Sequence, residues 1–243
     1  MNGPTVALRI LSYNVRGLRD DRTALTEVVR ATDPDVVCVQ EAPKYLRWRA
    51  TCAALARDWG VLYVAGGGTA GGTALFAHLR VDVDDPREVA LSRQFGWPDR
   101  GVASALISRS GARLAVASIH LPLAAEARAG HGARVREILD SYDTPYRLAA
   151  GDLNEQPDGP TWQALHGSGL ADLDPDCGPT FPAGAPHKRI DGILATGGVQ
   201  VVEHHVVDHP AVGRASDHRP LLAVVRVPVT APQASSPGRS PAR

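Results

Sequence analysis

Sulfur, net charge and long apolar runs are all scarce in this chain of 243 residues. Only three cysteines occur, Cys38, Cys52 and Cys177, with no CxxC and no Cys/His zinc spacing. An odd count of this kind argues against a disulfide framework. Cys38 falls in an apolar run and Cys52 in a helical one, so both read as small buried hydrophobes. Lys plus Arg equals Asp plus Glu at 26 each, giving a formal net charge of zero. The chain therefore carries no global basic field for long nucleic acid, which leaves room only for a local basic groove. No N-terminal apolar stretch resembles a signal peptide, and no segment is long and apolar enough for a bilayer span. A reduced, cytoplasmic, monomeric protein is the expectation. The remaining composition, 44% hydrophobic and 21% charged, is that of an ordinary globular domain. We expect one domain over residues 1–228 and a disordered Pro/Ala/Ser tail over 229–243.

Alternating strand-like and helix-like segments run along the chain. β-Branched and apolar runs predict strands at Ala7–Tyr13, Val36–Gln40, Val61–Ala65, Thr73–His78, Val81–Ala90, Val102–Ser108 and Ala112–Ile119. Later strands are predicted at Tyr146–Ala150, Lys188–Leu194, Val199–Val207 and Leu221–Val227. Helical stripes predict helices to about Ala31, after a cap at Asp20 or Asp21, and at Tyr45–Trp59, Ala124–Tyr142 and Gly159–His166. Gly66–Gly72 lacks the Lys-Ser/Thr of a phosphate-binding loop and reads as a mobile hairpin connection. Ser92–Gly101, with Arg93, Phe95, Trp97 and Arg100, reads as a surface loop able to cover a substrate.

Polar residues collect where strands end. Asp152-Leu153-Asn154 follows an apolar strand, and a carboxylate with a carboxamide two residues on suits the handling of a charged group such as phosphate. Alone, that pair is equally good turn chemistry. But Asn14, Glu41, His120 and Asp217-His218 also stand at the carboxyl end of a predicted strand or in a loop entering one. Strands that finish on one rim gather such residues into one cleft. Lys188 and Arg189 flank a strand and read as solvated, although either is within reach of a phosphate in principle. His204, His205 and His209 suggest a metal, but no carboxylate stands at a matching spacing, so exposed strand histidines are expected.

Six segments in order resemble the endonuclease/exonuclease/phosphatase superfamily, the DNase I-like fold. They are Ser12-Tyr13-Asn14-Val15, Val39-Gln40-Glu41, Ser118-Ile119-His120-Leu121, Gly151-Asp152-Leu153-Asn154, Arg189-Ile190-Asp191 and Ser216-Asp217-His218-Arg219-Pro220. The resemblance spans about residues 7–227. It implies a four-layer α/β/β/α sandwich of two mixed β-sheets flanked by helices, with the active site at one rim. It further implies divalent-metal-dependent hydrolysis of a phosphate ester. By the motif match Glu41 is the principal metal ligand, with Asn14 and Asp217 near the same ion. Oxygen donors of this kind suit magnesium, or manganese in its place, better than zinc.

The same match makes His218 the catalytic histidine and Asp191 its carboxylate partner. Asp152 matches the residue that orients or deprotonates the attacking water or, alternatively, protonates the leaving oxygen. Asn154 and His120 match groups that hydrogen-bond phosphate oxygens as charge builds. A histidine at 120 resembles the DNase I-like, sphingomyelinase-like and inositol-phosphatase-like branches more than abasic-site endonucleases, which usually carry tyrosine. A nuclease or phosphodiesterase acting on a phosphate-ester substrate such as nucleic acid is the leading expectation. A phosphomonoesterase or sphingomyelinase-like enzyme is second, and a non-catalytic binding module last, because every matched position holds a competent residue.

Overall fold

A computed structural model describes residues 3–229 of the chain. Its strands are β1 (Thr5–Asn14), β2 (Val36–Gln40), β3 (Leu62–Gly66), β4 (Ala74–Ala77), β5 (Asp82–Gln94) and β6 (Trp97–Arg109). After these come β7 (Ala112–His120), β8 (Arg147–Asp152), β9 (Ala171–Asp172), β10 (Asp191–Ala195), β11 (Gln200–Val206) and β12 (Leu221–Pro228). The helices are α1 (Arg22–Thr32), α2 (Trp48–Trp59), α3 (Ala125–Asp140), α4 (Pro160–Gly167) and the short α5 (Val212–Ala215). The strands form two six-stranded sheets, ordered β11-β12-β1-β2-β4-β3 and β5-β6-β7-β8-β10-β9. The tail expected from 229 lies, beyond Val229, outside the described residues; Val229 itself bridges to Ala112.

Each sheet is mixed in the same way. One parallel pair, β1/β2 or β7/β8, sits in the middle, and antiparallel partners surround it. Central strands bury both faces and read as unbroken apolar runs. Val36, Val37, Cys38 and Val39 of β2 illustrate this, with no exposed side chain among them. One core lies between the sheets, around Ile10, Leu75, Ile107, Leu114 and Val225. A second joins the first sheet to α1, α2 and α5, and a third joins the second sheet to α3 and α4. The result is the expected α/β/β/α sandwich.

Local chemistry explains how the helices are placed. Asp21 caps α1 by accepting from Thr23 N at 2.9 Å and Ala24 N at 3.0 Å, which satisfies amides left free at a helix start. The helix then turns Ala24, Leu25, Val28 and Val29 onto the sheet, at the spacing of one helical face. Truncating Leu25 to alanine there costs about 3 kcal/mol by transfer and cavity terms.

Three segments depart from the expectation. The helix predicted from Tyr45 starts at Trp48, because Arg47 takes a left-handed backbone (φ 61°) and the preceding residues stay in a loop. The stretch Ser92–Gly101 is not a loop: β5 and β6 run through it and turn at Phe95-Gly96, both with positive φ. Gly66–Gly72 is a packed turn rather than a mobile connection. The Trp48 ring lies on it so closely that a Cβ at Gly67 would come within 2.5 Å of the ring.

Candidate active site

Strand register brings the polar residues together. Parallel strands end at the same rim, and an antiparallel partner begins where its neighbour ends. Asn14 is aligned with Gln40, so Glu41 stands just beyond the same rim. His120 is aligned with Asp152 across the parallel β7/β8 pair, and Asp191 opens β10 directly opposite Asp152. Leu221 of β12 pairs with Ser12, which sets Asp217 and His218 over the same edge. The two sheets are fastened near this rim, where Ser118 Oγ donates to Val39 O at 2.9 Å and accepts from Gln40 Nε2 at 3.2 Å.

Asp152 is the hub. Its Oδ2 accepts from Asn14 Nδ2 at 3.1 Å and lies 3.5 Å from His120 Nε2 and 3.8 Å from His218 Nε2. Its Oδ1 accepts from the Asn154 backbone amide at 2.8 Å. One carboxylate is thus touched by residues of both sheets. His218 Nδ1 lies 2.9 Å from Asp191 Oδ2, and both side chains are buried. Three backbone details fix the geometry. Gly151 lets β7 approach so closely that a Cβ would fall 1.9 Å from Ile119 O. Glu41 and Asn154 both adopt positive φ, near 52°, a conformation held only where surroundings dictate it.

Burial and charge act on the titrating groups in opposite directions. Burial, followed by the neighbouring Asp191 carboxylate, lifts the Asp152 carboxyl from its ordinary range to about 7. Burial opposes the charged form of His218, but the carboxylates of Asp191, Asp152 and Asp217 outweigh it and hold the imidazolium up to about 9. His120 is pushed well down by burial and by the charges of Arg100, His218 and Lys44, so its ring is neutral at pH 7. Two imidazoles within reach of one carboxylate are therefore poised differently.

Glu41 and Asp217 form the outer part of the site. Among the described residues no cation pairs with Glu41; only Asn14 Nδ2 approaches its Oε1, at 3.5 Å. Asp217 Oδ2 pairs with Arg16 Nε at 3.1 Å. Asn14 presents its amide nitrogen to both carboxylates, because its Oδ1 already accepts from Arg16 N at 3.0 Å. Above Glu41 and His120 opens a cleft of about 410 Å³, also lined by Arg19, Lys44, Tyr45 and Arg100. Among the described residues Arg19 and Lys44 have no carboxylate partner, and Arg100 has only the neighbouring Asp99 at 3.7 Å. Of these cations the sequence singled out Arg100 alone, and nothing in the spacing of Arg19 or Lys44 marks them.

Supporting residues hold this arrangement from behind. Thr180 Oγ1 accepts from Ile190 N and Asp191 N, and the Phe181 ring sits 4.9 Å from the His218 ring. Glu155 is buried, pairs with Arg128 at 2.9 Å, and accepts from Thr161 N and Trp162 N at the start of α4. It thereby anchors the loop that follows Asp152. Arg189 turns inward to Asp172 at 2.8 Å, whereas Lys188 is exposed. His204 is not an exposed strand histidine: its side chain is about 1% accessible.

The sequence matches the Endonuclease/Exonuclease/phosphatase family over residues 11–218, and the chain belongs to that family. Its members hydrolyse phosphate esters and generally use divalent metals. No curated protein matches the sequence. Among solved structures, an endonuclease/exonuclease/phosphatase family protein from Bacteroides thetaiotaomicron is similar at 18% identity and a TM-score of 0.74, covering 92% of this chain and 99% of that one. A mannosyl-6-phosphatase of the same organism is similar at 18% identity and a TM-score of 0.72, covering 90% and 99%. D. rerio TDP2, complexed with a single-strand DNA product, is similar at 20% identity and a TM-score of 0.68, covering 90% and 98%. At such identities the likeness establishes the fold alone. No helix among the described residues is long and apolar enough to cross a membrane.

Proposed function

We propose that the chain is a divalent-metal-dependent phosphodiesterase acting on nucleic acid or a similar anionic ester. The observation that carries this reading is the Asp152 carboxylate, buried and held between Asn14, His120 and His218 while His218 is paired with Asp191. A hydrolase needs a base for water and a positive group for the developing phosphoryl charge. Asp152, ionising near 7, suits the base, whereas His218, protonated below about 9, is unsuited to that role and suits the charge.

Water adds to phosphorus as the ester P–O bond breaks; the water's proton passes to Asp152, and the electron pair of the broken bond leaves with the ester oxygen, which takes a proton from solvent. The His218 imidazolium hydrogen-bonds a phosphoryl oxygen from Nε2, with Asp191 holding its other nitrogen. Neutral His120 and the Asn154 carboxamide steady further phosphate oxygens. Glu41 fits a hard cation, because it is a carboxylate lining the cleft without a cationic partner among the described residues. Glu41 with Asp217 would hold magnesium or manganese, which supplies charge neutralisation at the phosphate when bound. Asn14, expected near the same ion, accepts one hydrogen bond at Oδ1 from Arg16 N and turns its amide nitrogen to Glu41 and Asp152, so we also assign it the task of orienting these two carboxylates.

Lys44, Arg19 and Arg100 favour a substrate with charge beyond the scissile phosphate, as a nucleic acid strand has. They also suit a dianionic phosphomonoester, the second reading. A panel of single- and double-stranded DNA, RNA, sphingomyelin, inositol phosphates and bis-p-nitrophenyl phosphate, with and without magnesium, separates the two. Glu41→Ala and His218→Ala are expected to lose nearly all turnover while staying folded. Wild-type rates from either variant overturn the mechanism.

A further inference from the structure

Away from the catalytic rim, three side chains converge that hydrolysis does not use. A carboxylate oxygen of Asp174, Cys177 Sγ and a ring nitrogen of His204 all lie within 4.8 Å of one another. Asp174 and Cys177 belong to the turn after β9, and His204 comes from β11 in the other sheet. We propose that these residues form a second cation site, built for zinc or a similar thiophilic divalent ion, with a water in the fourth position.

The donor chemistry points to that ion. Oxygen-only sites suit magnesium, whereas a set of one sulfur, one nitrogen and one oxygen suits zinc. A thiolate and a carboxylate bring two negative charges to a divalent ion. Arg189 lies alongside, but its charge is matched by Asp172 at 2.8 Å. Spacing agrees as well. Two ligands of a tetrahedral zinc stand about 3.3 to 3.8 Å apart, so closing this triad takes shifts of about 1 Å. His204 Nδ1 and Asp174 Oδ2 are already at 3.4 Å, long for a hydrogen bond but fitting for two ligands of one ion.

The imidazole itself gives a second, independent argument. The His204 side chain is about 1% accessible, and its Nε2 is buried without a hydrogen-bond partner among the described residues. A buried ring whose Nδ1 makes only a 3.4 Å contact is weakly satisfied at that nitrogen, and an ion on Nδ1 would complete it and fix the ring proton on Nε2.

Its location gives the ion a purpose. Three residues after Cys177 comes Thr180, which accepts from Asp191 N, and then Phe181, which lies against His218. An ion fastening Asp174 and Cys177 to β11 would hold the loop that steadies the catalytic pair.

Cys177 reactivity tests this without any variant. Cys177 is half-buried while Cys38 and Cys52 are buried, so iodoacetamide labelling read by mass spectrometry isolates it. At free zinc about ten times the dissociation constant, labelling of Cys177 is expected to slow about elevenfold, and magnesium should give no protection. Cobalt added to the wild type should give a thiolate-to-cobalt near-ultraviolet band saturating at one equivalent. Cys177→Ser should lack the band and Glu41→Gln should keep it. Unprotected Cys177 in saturating zinc, or a cobalt band that survives in Cys177→Ser, overturns the proposal.

Discussion

Replacing Asp191 by asparagine removes one charge and keeps the shape, so it isolates what the carboxylate does to His218. The pair is separated by 2.9 Å and is buried. At an effective dielectric constant of about 20, charges at that spacing attract by about 6 kcal/mol before desolvation is counted. The imidazolium is held up from 6.5 to about 9, which corresponds to about 3 kcal/mol in favour of the charged ring after burial has taken its share. Burial persists in the variant and Asp152 remains 3.8 Å from Nε2. His218 should therefore titrate near or below its ordinary value of 6.5 rather than near 9. Asp152 also loses a like-charged neighbour, so its carboxyl should ionise below about 7. Both limbs of the pH–rate profile for bis-p-nitrophenyl phosphate should move toward acid, the alkaline limb further. Stability follows with a definite sign. A pKa raised on folding contributes stability below the unfolded value of 6.5, and that contribution is lost as pH rises through about 9. The wild type should exceed Asp191→Asn most below pH 6.5 and least above 9. NMR titration of the His218 ring, alongside the rate profile, reads the effect directly. A midpoint that stays near 9 in the variant refutes the assignment of Asp191 as the source of the shift.

Gly151→Ala places a Cβ 1.9 Å from Ile119 O, and the overpacking should cost about 3 kcal/mol, or about 10 °C in thermal midpoint. Asp35→Asn probes a buried acid that accepts from Arg9 N at 2.8 Å and pairs with Arg80 at 2.9 Å, far from the cleft. It should lower stability to denaturant by about 3 kcal/mol with kcat at low temperature intact. Reversing charge in the cleft with Lys44→Glu or Arg100→Glu should raise KM for an oligonucleotide by about tenfold each and flatten its salt dependence. Equal KM values at low and high salt in the wild type would remove that reading of the cleft.

How far the sequence revealed this architecture depended on what each residue answers to. The rim residues were legible because strand ends are marked by a change from apolar runs to polar residues, and register then does the rest. Asp152 and Asp191 face each other because β8 and β10 are antiparallel, and His120 joins them because β7 and β8 are parallel. The segments that depart from the sequence pattern answer to neighbours far along the chain. Gly66–Gly72 looks flexible until the Trp48 ring fills the space that side chains would have taken. Ser92–Gly101 lacks an apolar alternation because it is the outer hairpin of its sheet, which no core requires. His204 looked solvent-facing because its partners, Asp174 and Cys177, lie at least 27 residues away and arrive from another sheet.

The same contrast bears on how the site functions. A carboxylate with two imidazoles is useful only if the sheets hold a fixed offset, since Asn14 comes from one and Asp152 from the other. A slip of one residue in either sheet would turn these side chains to the opposite face. The ties that prevent it lie beside the site rather than within it. Ser118 bridges the sheets through Val39 and Gln40, Ser216 Oγ donates to Asn14 O at 2.7 Å, and Thr180 holds the amide of Asp191. Hydroxyls recur in these ties because a small side chain can both donate and accept, as Ser118 Oγ does toward Val39 O and Gln40 Nε2. The Ser118 contacts join the two sheets beside the rim, so a change that loosens the sandwich there should reach Asp152 before it reaches the outer helices.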